Sequence, residues 1–599
     1  MSIVELRHAD LVGIASEKEA ILDALQELGC LQLELGPAKD EPGPSGAPAS
    51  GDAAKAIRYL LATTRKRHAR LEDDRFDVDR VVEQTLANRE RSRDLQDIRD
   101  ALLARVGQVE PWGAYTLPPQ EELGGYRLWF YVIPLSRMRE LKDMDLVWQE
   151  VHRDPRRSWV VVVSRDEPAE DALPAPRVHV GSRTLTELRE ALEKVEVELD
   201  EVLAERESLT RWIFLIAQNM ARSEDQAMLR EAATRTEERD GLFLLHAWVP
   251  LDRLELVEAF AQENDLALLI REPLPDESPP TLLENPPELA GGQALVQFYQ
   301  TPDYRSWDPS IAVFFSFTTF FAMIVADAGY ALVLAGLLGL FWQRMSQTRQ
   351  RQSLRRLVAT TLCLTAVYGA LVGSYFGATP PESHWLSRLA ILDLGDFDSM
   401  IQFSIGIGCL HVILANALKI YGIPLAAERC TAAGWILVIC GGAAAWLLER
   451  GEMITTLAMG IGVLGLALVA LGAAGSVGAG SGNASTWRRI GASLLALTNV
   501  SRIFGDVLSY LRLWALGLAS ASLGALFNDL ASDAANAYRG MGLFLAILIL
   551  LVGHLLNLTL AVIGGVVHGL RLNFIEFFNW SGLEEGSPFQ AFARKEIEP

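Results

Sequence analysis

From about Ile311 to Trp580 the chain is a succession of long apolar runs, whereas from Met1 to about Arg305 it is dominated by Glu-, Asp-, Arg- and Lys-rich stretches. This segregation limits the possible folds more than anything else in the sequence. A run of about 20 apolar residues matches the hydrocarbon thickness of a bilayer, where backbone polar groups have to be satisfied within the segment. It also reconciles 50% hydrophobic with 22% charged residues in one chain. The 599 residues therefore read as a soluble half followed by a polytopic membrane half. The net charge of −21, without a basic patch interleaved with aromatics, argues against nucleic-acid binding. The five cysteines (Cys30, Cys363, Cys409, Cys430, Cys440) form no CxxC pair or metal-ligand spacing and read as small apolar packing residues. "MSIVELRHADLVGIA" has no sustained apolar core, so no signal peptide is expected and the soluble half is expected in the cytoplasm.

"SIVELRHADLVGIA" alternates like a strand, "SEKEAILDALQELG" reads as a helix closed by Gly29, and "CLQLEL" as a second strand. "GPAKDEPGPSGAPASG" follows as a loop or flexible linker. Two long helical tracts are expected, from about Asp52 to Val109 and from Thr184 to about Arg239. The second opens with the capping box Thr184-Leu-Thr-Glu187, and Leu185, Leu188, Leu192, Val195, Leu199 and Leu203 give it a coiled-coil seam. The first has a patchier seam from Leu71 to Val106. Between the tracts, "YRLWFYVIPL" and "RSWVVVVSRDE" supply strands. "GLFLLHAWVPLDRLELVEAFAQENDLALLIRE" reads as strand-helix-strand rejoining the first lobe. The expected fold is multi-domain and α-rich: N-terminal cytoplasmic α/β lobes joined by a long antiparallel coiled-coil arm, then an eight-helix polytopic membrane domain. Its boundaries are 1–305 (proximal lobe 1–51 plus 240–290, arm 52–109 and 182–239, distal lobe 110–181) and 306–599. No GxxxxGK[ST] phosphate loop and no catalytic spacing occurs, so no enzyme activity and no cofactor are expected.

The apolar segment Pro309–Trp342 is too long for one ordinary span, and "VADAGY" lies in its middle. The following "RMSQTRQRQSLRR" carries Arg344, Arg349, Arg351, Arg355 and Arg356 without an acid, and so faces the cytoplasm. A cytoplasmic soluble half then requires two crossings between them, as a hairpin meeting at Ala326–Gly329. Further spans are expected at 357–377, 401–421, 431–448, 453–472, about 499–528 and 541–578, with a loop carrying Arg488 and Arg489 inside. This gives eight spans with both termini cytoplasmic.

The last two spans are unusually polar. His554, Asn557, Ala561, Gly564, His568, Arg571 and Ile575 step by three and four along one helical face, and Asp506, Ser509, Arg512, Leu516 and Ser520 do the same on the preceding helix. Such stripes can be helix-helix glue, with small residues for close approach and polar groups bonded across helices. A full charge at the bilayer centre, however, costs about 2.5–3.5 kcal/mol on insertion scales. Two arginines, two histidines and an aspartate exceed what glue requires, and an ion path is the better reading.

"SYLRLWALGLA", "HGLRLNFIEFF", "ADAGY" and "PPTLLENPPELAGGQALVQFYQTPDYRSWDPS" resemble the a/I subunit of rotary V-type and A-type ATPases, and the likeness covers nearly the whole chain. The resemblance implies a membrane stator that cups a rotating proteolipid ring and supplies two offset ion half-channels. Arg512 becomes the arginine facing the ring carboxylate and Arg571 its companion. Asp327, His568 and Glu576 become candidates for lining a half-channel or for supporting the residues that line it, beside Asp506, Ser509 and Ser520 of the polar stripe. The implied partners are the rotor ring (c/K-type subunits), peripheral stalks (E/G-type), the central-stalk connector (d/C-type) and the lipid bilayer. The compact length fits a prokaryotic member in the cell membrane. The eukaryotic branch carries His-Ala-Gln where this chain has Ser520-Ala521-Ser522, and a glutamate where it has Ala561, so the half-channel lining differs here. Two rivals are a secondary transporter with a cytoplasmic regulatory arm, which would show paired half-membrane repeats, and a membrane-anchored scaffold or sensor, which needs no buried arginines.

Overall fold

The structure, a computed structural model, describes residues 2–34, 48–69, 76–114, 122–142, 144, 146–169, 173–422, 425–447, 452–480, 485–537 and 541–595. In chain order the first part carries β1 (Leu6–Ile14), α1 (Lys18–Leu28), β2 (Gln32–Glu34), α2 (Pro48–Leu61), α3 (Val78–Val109), β3 (Arg127–Pro134), α4 (Met138–Lys142), β4 (Val147–Arg153) and β5 (Arg157–Ser164). It continues with α5 (Leu185–Leu209), α6 (Ile213–Arg235), β6 (Glu237–Arg239), β7 (Leu242–Pro250), α7 (Leu254–Glu263), β8 (Ala267–Arg271) and α8 (Ala290–Tyr299). The remainder is helical: α9 (Ser310–Val325), α10 (Ala328–Phe341), α11 (Arg349–Val372), α12 (Phe397–Gly422), α13 (Ala426–Leu447), α14 (Glu452–Gly480), α15 (Thr486–Leu508), α16 (Leu511–Ala537), α17 (Gly542–Arg571) and α18 (Phe578–Ser581). The chain divides into two compact units. One holds Met1–Gly13, Cys30–Glu34 and Leu244–Ala591, the other Ile14–Gly29, Leu35–Phe243 and Phe592–Pro599.

In the second unit β3, β5 and β4 form an antiparallel sheet in that order. Helices α3 and α5 pack side by side, burying Leu95 against Leu199 and Val202. Asn88 on α3 ties the pair by donating to the Val202 carbonyl at 3.0 Å and to Glu205 at 2.8 Å. The capping box forms as spaced: the Thr184 hydroxyl accepts from Glu187 N–H and the Glu187 carboxylate from Thr184 N–H. Neither helical tract is continuous, however. Residues 52–109 are two helices, because the stretch after Leu61 is charged without an apolar period. The second tract is interrupted by a 3₁₀ turn at Thr210–Trp212, where the Thr210 hydroxyl donates to the Glu207 carbonyl at 2.6 Å and competes with the α-helical ladder. Residues 36–47 of the Gly/Pro-rich linker and Leu71 of the first seam lie outside the described residues, and 48–51 already belong to α2.

The first unit contains a sheet in which β2, β7, β1 and β8 are neighbours, so the terminal strands pair with strands more than 200 residues away. Ala9 and Leu11 of β1, Leu245, Ala247 and Val249 of β7, and Val257 and Ala261 of α7 are buried. The strand-helix-strand reading of 242–271 is realised in this sheet.

The same unit holds the apolar helices. Among the described residues six helical stretches are long and apolar enough to cross a membrane: Gln350–Val372, Phe397–Gly422, Ala426–Trp446, Glu452–Val477, Thr486–Ala537 and Gly542–Ser581. Helices α9 and α10 are shorter apolar helices, broken where the sequence suggested. Ala326 adopts a left-handed conformation (φ 49°), unusual for a residue with a Cβ, and Asp327 caps the next helix. Phe317 and Phe321 of α9, Leu334 and Leu338 of α10, and Leu354 and Val358 of α11 line one groove, so α10 folds back rather than continuing α9.

Other boundaries shift. Helix α11 begins at Arg349, capped by the Thr348 hydroxyl, so the expected arginine loop is largely the first two turns of a helix. Arg355 lies over Trp342, and Arg356 is 3.8 Å from Glu288. Arg488 and Arg489, expected in a loop, sit on the first turn of α15. The expected helix 499–528 tightens at Ser509–Tyr510, where Arg512 N–H donates to the Ser509 carbonyl and Leu513 N–H to the Tyr510 carbonyl in i→i+3 fashion.

Gly369 on α11 meets the α9–α10 break. A Cβ there would lie 2.2 Å from Ala328 N and 2.6 Å from Asp327 C, both backbone, whereas Gly336 on α10 faces open space. Gly369→Ala should therefore destabilise the folded chain by about 1–3 kcal/mol through overpacking. Gly336→Ala should be neutral or stabilising by up to about 1 kcal/mol through helix propensity. Thermal unfolding in detergent measures both, and equal midpoints would contradict this packing.

Candidate functional site

The polar residues of the helical part gather into two groups. The first is built around Asp327, which is 2% exposed and surrounded by donors. Its Oδ1 accepts from Tyr330 N–H at 2.9 Å and Phe376 N–H at 3.0 Å, and its Oδ2 from the Ser374 hydroxyl at 2.7 Å and Gly377 N–H at 2.9 Å. The carboxylate thus caps α10 and pins the loop after α11, which offsets the cost of burying it. Next to this clamp runs a hydrogen-bonded chain. The Tyr330 hydroxyl lies 2.8 Å from His554 Nδ1 and accepts from Asn557 Nδ2 at 2.9 Å. His554 Nε2 lies 3.0 Å from Asn528 Oδ1, and Asn557 Nδ2 also donates to the Ser520 carbonyl. The Ser520 hydroxyl is 3.5 Å from Asn557 Oδ1.

The second group lies where α16 begins and α17 ends. Arg512 sits two residues beyond the tightened turn, half-buried, and its Nη1 is buried with no hydrogen-bond partner in the chain. Arg571 ends α17 with its side chain 48% exposed. The next six residues, Leu572–Phe577, form a π turn in which Phe578 N–H bonds to the Asn573 carbonyl. Its extra residue rotates the following side chains, so Ile575 is exposed and Glu576, at 3%, is buried. Glu576 Oε1 accepts from the Ser509 hydroxyl at 2.6 Å and lies 4.0 Å from Arg571 Nε. Asp506 is turned elsewhere: its Oδ2 accepts from Trp580 Nε1 at 2.7 Å and is 3.8 Å from Arg502. His568 is half-buried, and its Nδ1 is buried without a partner.

The structure therefore joins Ser509, Glu576 and Arg571, leaves Arg512 and His568 with unspent hydrogen-bond capacity, gives Asp506 to Trp580, and places Ser520 and Asp327 in the other group. Asn557 and Arg571 are 14 residues apart on α17, about 21 Å at helical rise. The polar stripe is inward-facing over its first part: Asn557 and Ala561 are buried and His554, Gly564 and His568 half-buried, before Arg571 emerges. Sequence reasoning missed Tyr330 and Asn528, and also His411 on α12. His411 Nδ1 is 2.7 Å from the Tyr510 hydroxyl, its ring stacks on Phe577 at 4.5 Å, and its Nε2 has no partner. A lone histidine in an apolar helix was the available signal. Glu576 Oε2 is a further buried atom without a partner. Among helices of this apolarity, unpartnered charged and imidazole groups mark a place for water, an ion or another molecule.

These features define a multi-pass membrane protein with an N-terminal α/β part and polar groups concentrated in its last helices. The chain is a homologue of subunit I of the V-type and A-type ATP synthases. It is 27% identical over 481 residues to the V-type ATP synthase subunit I of Chlamydia muridarum, covering 67% of this chain and 69% of that one. It is 26% identical over 455 residues to the A-type ATP synthase subunit I of Methanocaldococcus jannaschii, covering 67% and 64%. With V-type ATP synthase subunit I 1 of Treponema pallidum it shares 25% identity over 643 residues, covering 97% and 98%. No family model matches the chain. Among solved structures it matches the cytoplasmic N-terminal domain of subunit I, homolog of subunit a, of V-ATPase, at 16% identity over 44% of this chain and all of that one. The TM-score of 0.25 is too low to define a shared arrangement.

The geometry separates Asp327 from the residues with open valences. Asp327→Ala would strand four donors, two in buried and two in part-buried hydrogen bonds, at about 1–3 kcal/mol for each group left unsatisfied away from water. Its unfolding midpoint in detergent should fall well below that of the parent chain, and Asp327→Asn, which keeps an accepting oxygen, should fall less. An unchanged midpoint for Asp327→Ala would rule out the clamp.

Proposed function

We propose that this chain is the membrane stator subunit of a rotary V/A-type ATP synthase and provides the two half-channels for proton or sodium-ion translocation. The observation that carries this reading is Arg512: a guanidinium half-buried among apolar helices, with Nη1 buried and unpartnered. In this reading its partner is the carboxylate of a passing rotor-ring subunit. That carboxylate has to be neutral to face lipid and ionised to exchange its ion with water. A guanidinium stays charged at any working pH, favours the ionised carboxylate as it passes and forces ion release. It also repels a cation that would leak directly between the half-channels. The two polar groups, about 21 Å apart along α17, supply the half-channels: Ser520, Asn557 and His554 on one side, Ser509, Glu576, His568 and Arg571 on the other. Asp327 supports the first as its clamp and Asp506 flanks the second.

The finer architecture follows the same reading. Helices α9 and α10 are two short spans and, with the others, give eight crossings with both termini in the cytoplasm of a prokaryotic cell. Helices α3 and α5–α6 form an antiparallel coiled-coil arm for the peripheral stalks, and the central-stalk connector is a further contact. The chain itself carries no catalytic step. Purification supports or sinks the assignment directly: the chain should copurify with a multi-subunit ATPase and a proteolipid ring, as a secondary transporter would not.

Topology is tested in a chain whose five cysteines are replaced by serine. A new cysteine at Arg351 should react with an impermeant maleimide only from the cytoplasmic side, and one at Asp396 only from outside. Reaction of both from one side would refute eight spans.

Arg512→Ala should leave the complex assembled, since removing a charge from an apolar site relieves desolvation as well as deleting an interaction. ATP-driven ion uptake into reconstituted vesicles should nevertheless vanish. Arg512→Lys should be severely impaired, because lysine is a strongly hydrated point charge without the guanidinium fork. Arg571→Lys should be milder. Near-normal uptake by an intact Arg512→Ala complex would reduce this arginine to helix packing.

A further inference from the structure

Independently of the helical part, the N-terminal sheet presents ligating side chains on the face opposite its packed side. Alternation along β1 buries Ala9 and Leu11 on one face and turns His8 and Asp10, two residues apart, to the other. Strand β7 lies between β1 and β2 and contributes His246 to the same face, opposite Glu34 in register. His246 Nδ1 is 2.5 Å and His8 Nδ1 3.2 Å from the same oxygen, Asp10 Oδ1. One ligand atom from each of the three residues lies within 4.8 Å of the others.

His8 is 3% exposed, and its Nδ1 makes no hydrogen bond. Its Nε2 lies 3.3 Å from Glu34 Oε2, an acceptor to which that nitrogen can donate. With Nδ1 unprotonated, its lone pair faces a carboxylate oxygen, and two such acceptors repel unless a metal ion or a second ring proton lies between them. A histidine that ligates through one nitrogen and donates to a carboxylate through the other is the arrangement metal sites use to orient the ring. The surrounding charge favours a cation. Asp10 and Glu34 are both acidic, and Arg271, which faces His8 from β8, is held by Glu277 at 2.8 Å. Trp248 packs edge-on against His8 at 4.8 Å. Asp10 is 17% and His246 37% exposed in their side chains, which leaves a path to solvent and a fourth position for water.

We infer that His8, Asp10 and His246 form a zinc-type cation site, with both Nδ1 atoms and Asp10 Oδ1 as ligands and Glu34 as the carboxylate that orients His8. Two imidazoles, one carboxylate and an open fourth position match the ligand set and count of tetrahedral zinc. The ion would staple β1 to β7 across more than 200 residues of intervening chain.

The test uses the full chain in detergent, without a polyhistidine tag and stripped by a chelator, titrated calorimetrically with Zn²⁺ and optically with Co²⁺. The parent chain should take up one equivalent of Zn²⁺ and show the visible bands of tetrahedral Co²⁺, which Zn²⁺ bleaches. His246→Ala and Asp10→Asn should each weaken this uptake at least about 100-fold, with circular dichroism and gel filtration reporting that the fold is kept. Glu34→Gln should keep the stoichiometry and weaken binding about 10–100-fold. Absence of a stoichiometric site in the parent chain, or equal uptake by parent and His246→Ala, would overturn the site and leave a hydrogen-bonded histidine–carboxylate cluster. Should a variant misfold, the Co²⁺ spectrum of the parent chain still decides: no tetrahedral band, no site.

Discussion

A charge set among apolar helices has to be met by something, and the helical part of this chain meets that demand in two ways. Asp327 is met completely: four donors from its own helix and the neighbouring loop take up both oxygens. Arg512 and Glu576 are met only in part, each keeping a buried atom without a partner in the chain. The proposed role of Arg512 rests on this difference between a buried charge that is satisfied and one that is partly open. A satisfied buried charge holds a fold together, whereas one left open has a role only if a second body completes it.

The same contrast explains how the last two helices are shaped. A regular α-helix through residues 571–578 would continue the stripe to Ile575 and leave Glu576 off it. The π turn adds one residue, and Glu576 reaches the Ser509 hydroxyl. The tightened turn at Ser509–Tyr510 brings that hydroxyl and Arg512 to the same region. Two irregularities on two helices thus assemble one site, the kind of place where departures from regular geometry concentrate.

Much of this was legible in the sequence because it depends on periodicity and residue type. The strands of 6–14, 32–34, 242–250 and 267–271, the capping box at Thr184, the break at Ala326–Asp327 and the polar stripe from His554 to His568 all follow from local pattern. What was missed depends on contacts that pattern does not encode. The 3₁₀ turn at Thr210–Trp212 and the π turn leave the apolar spacing almost unchanged. Asp327 read as a residue that lines a half-channel or supports one, and the four donors around it come from packing that a lone aspartate in an apolar run does not reveal. Tyr330, Asn528 and His411 are single polar residues in separate helices, and only the packing shows which of them meet.

The sheet in the N-terminal part has a consequence for how the chain is made. Strands β1 and β2 leave the ribosome at the start, but β7, which lies between them, follows some 200 residues later. At about 5–20 residues per second they wait on the order of 10–40 s with their edges unpaired. During that interval everything from α2 to α6 is synthesised and can fold by local contacts. The first strands need protection from wrong pairing for as long, and their charged and histidine-bearing face, with His8, Asp10 and Glu34, serves as such a safeguard at an open edge. The strands of the sheet are all made before the first apolar helix, whereas the segment that bonds to Gln32 and Thr281, residues 587–590, comes only after the last one.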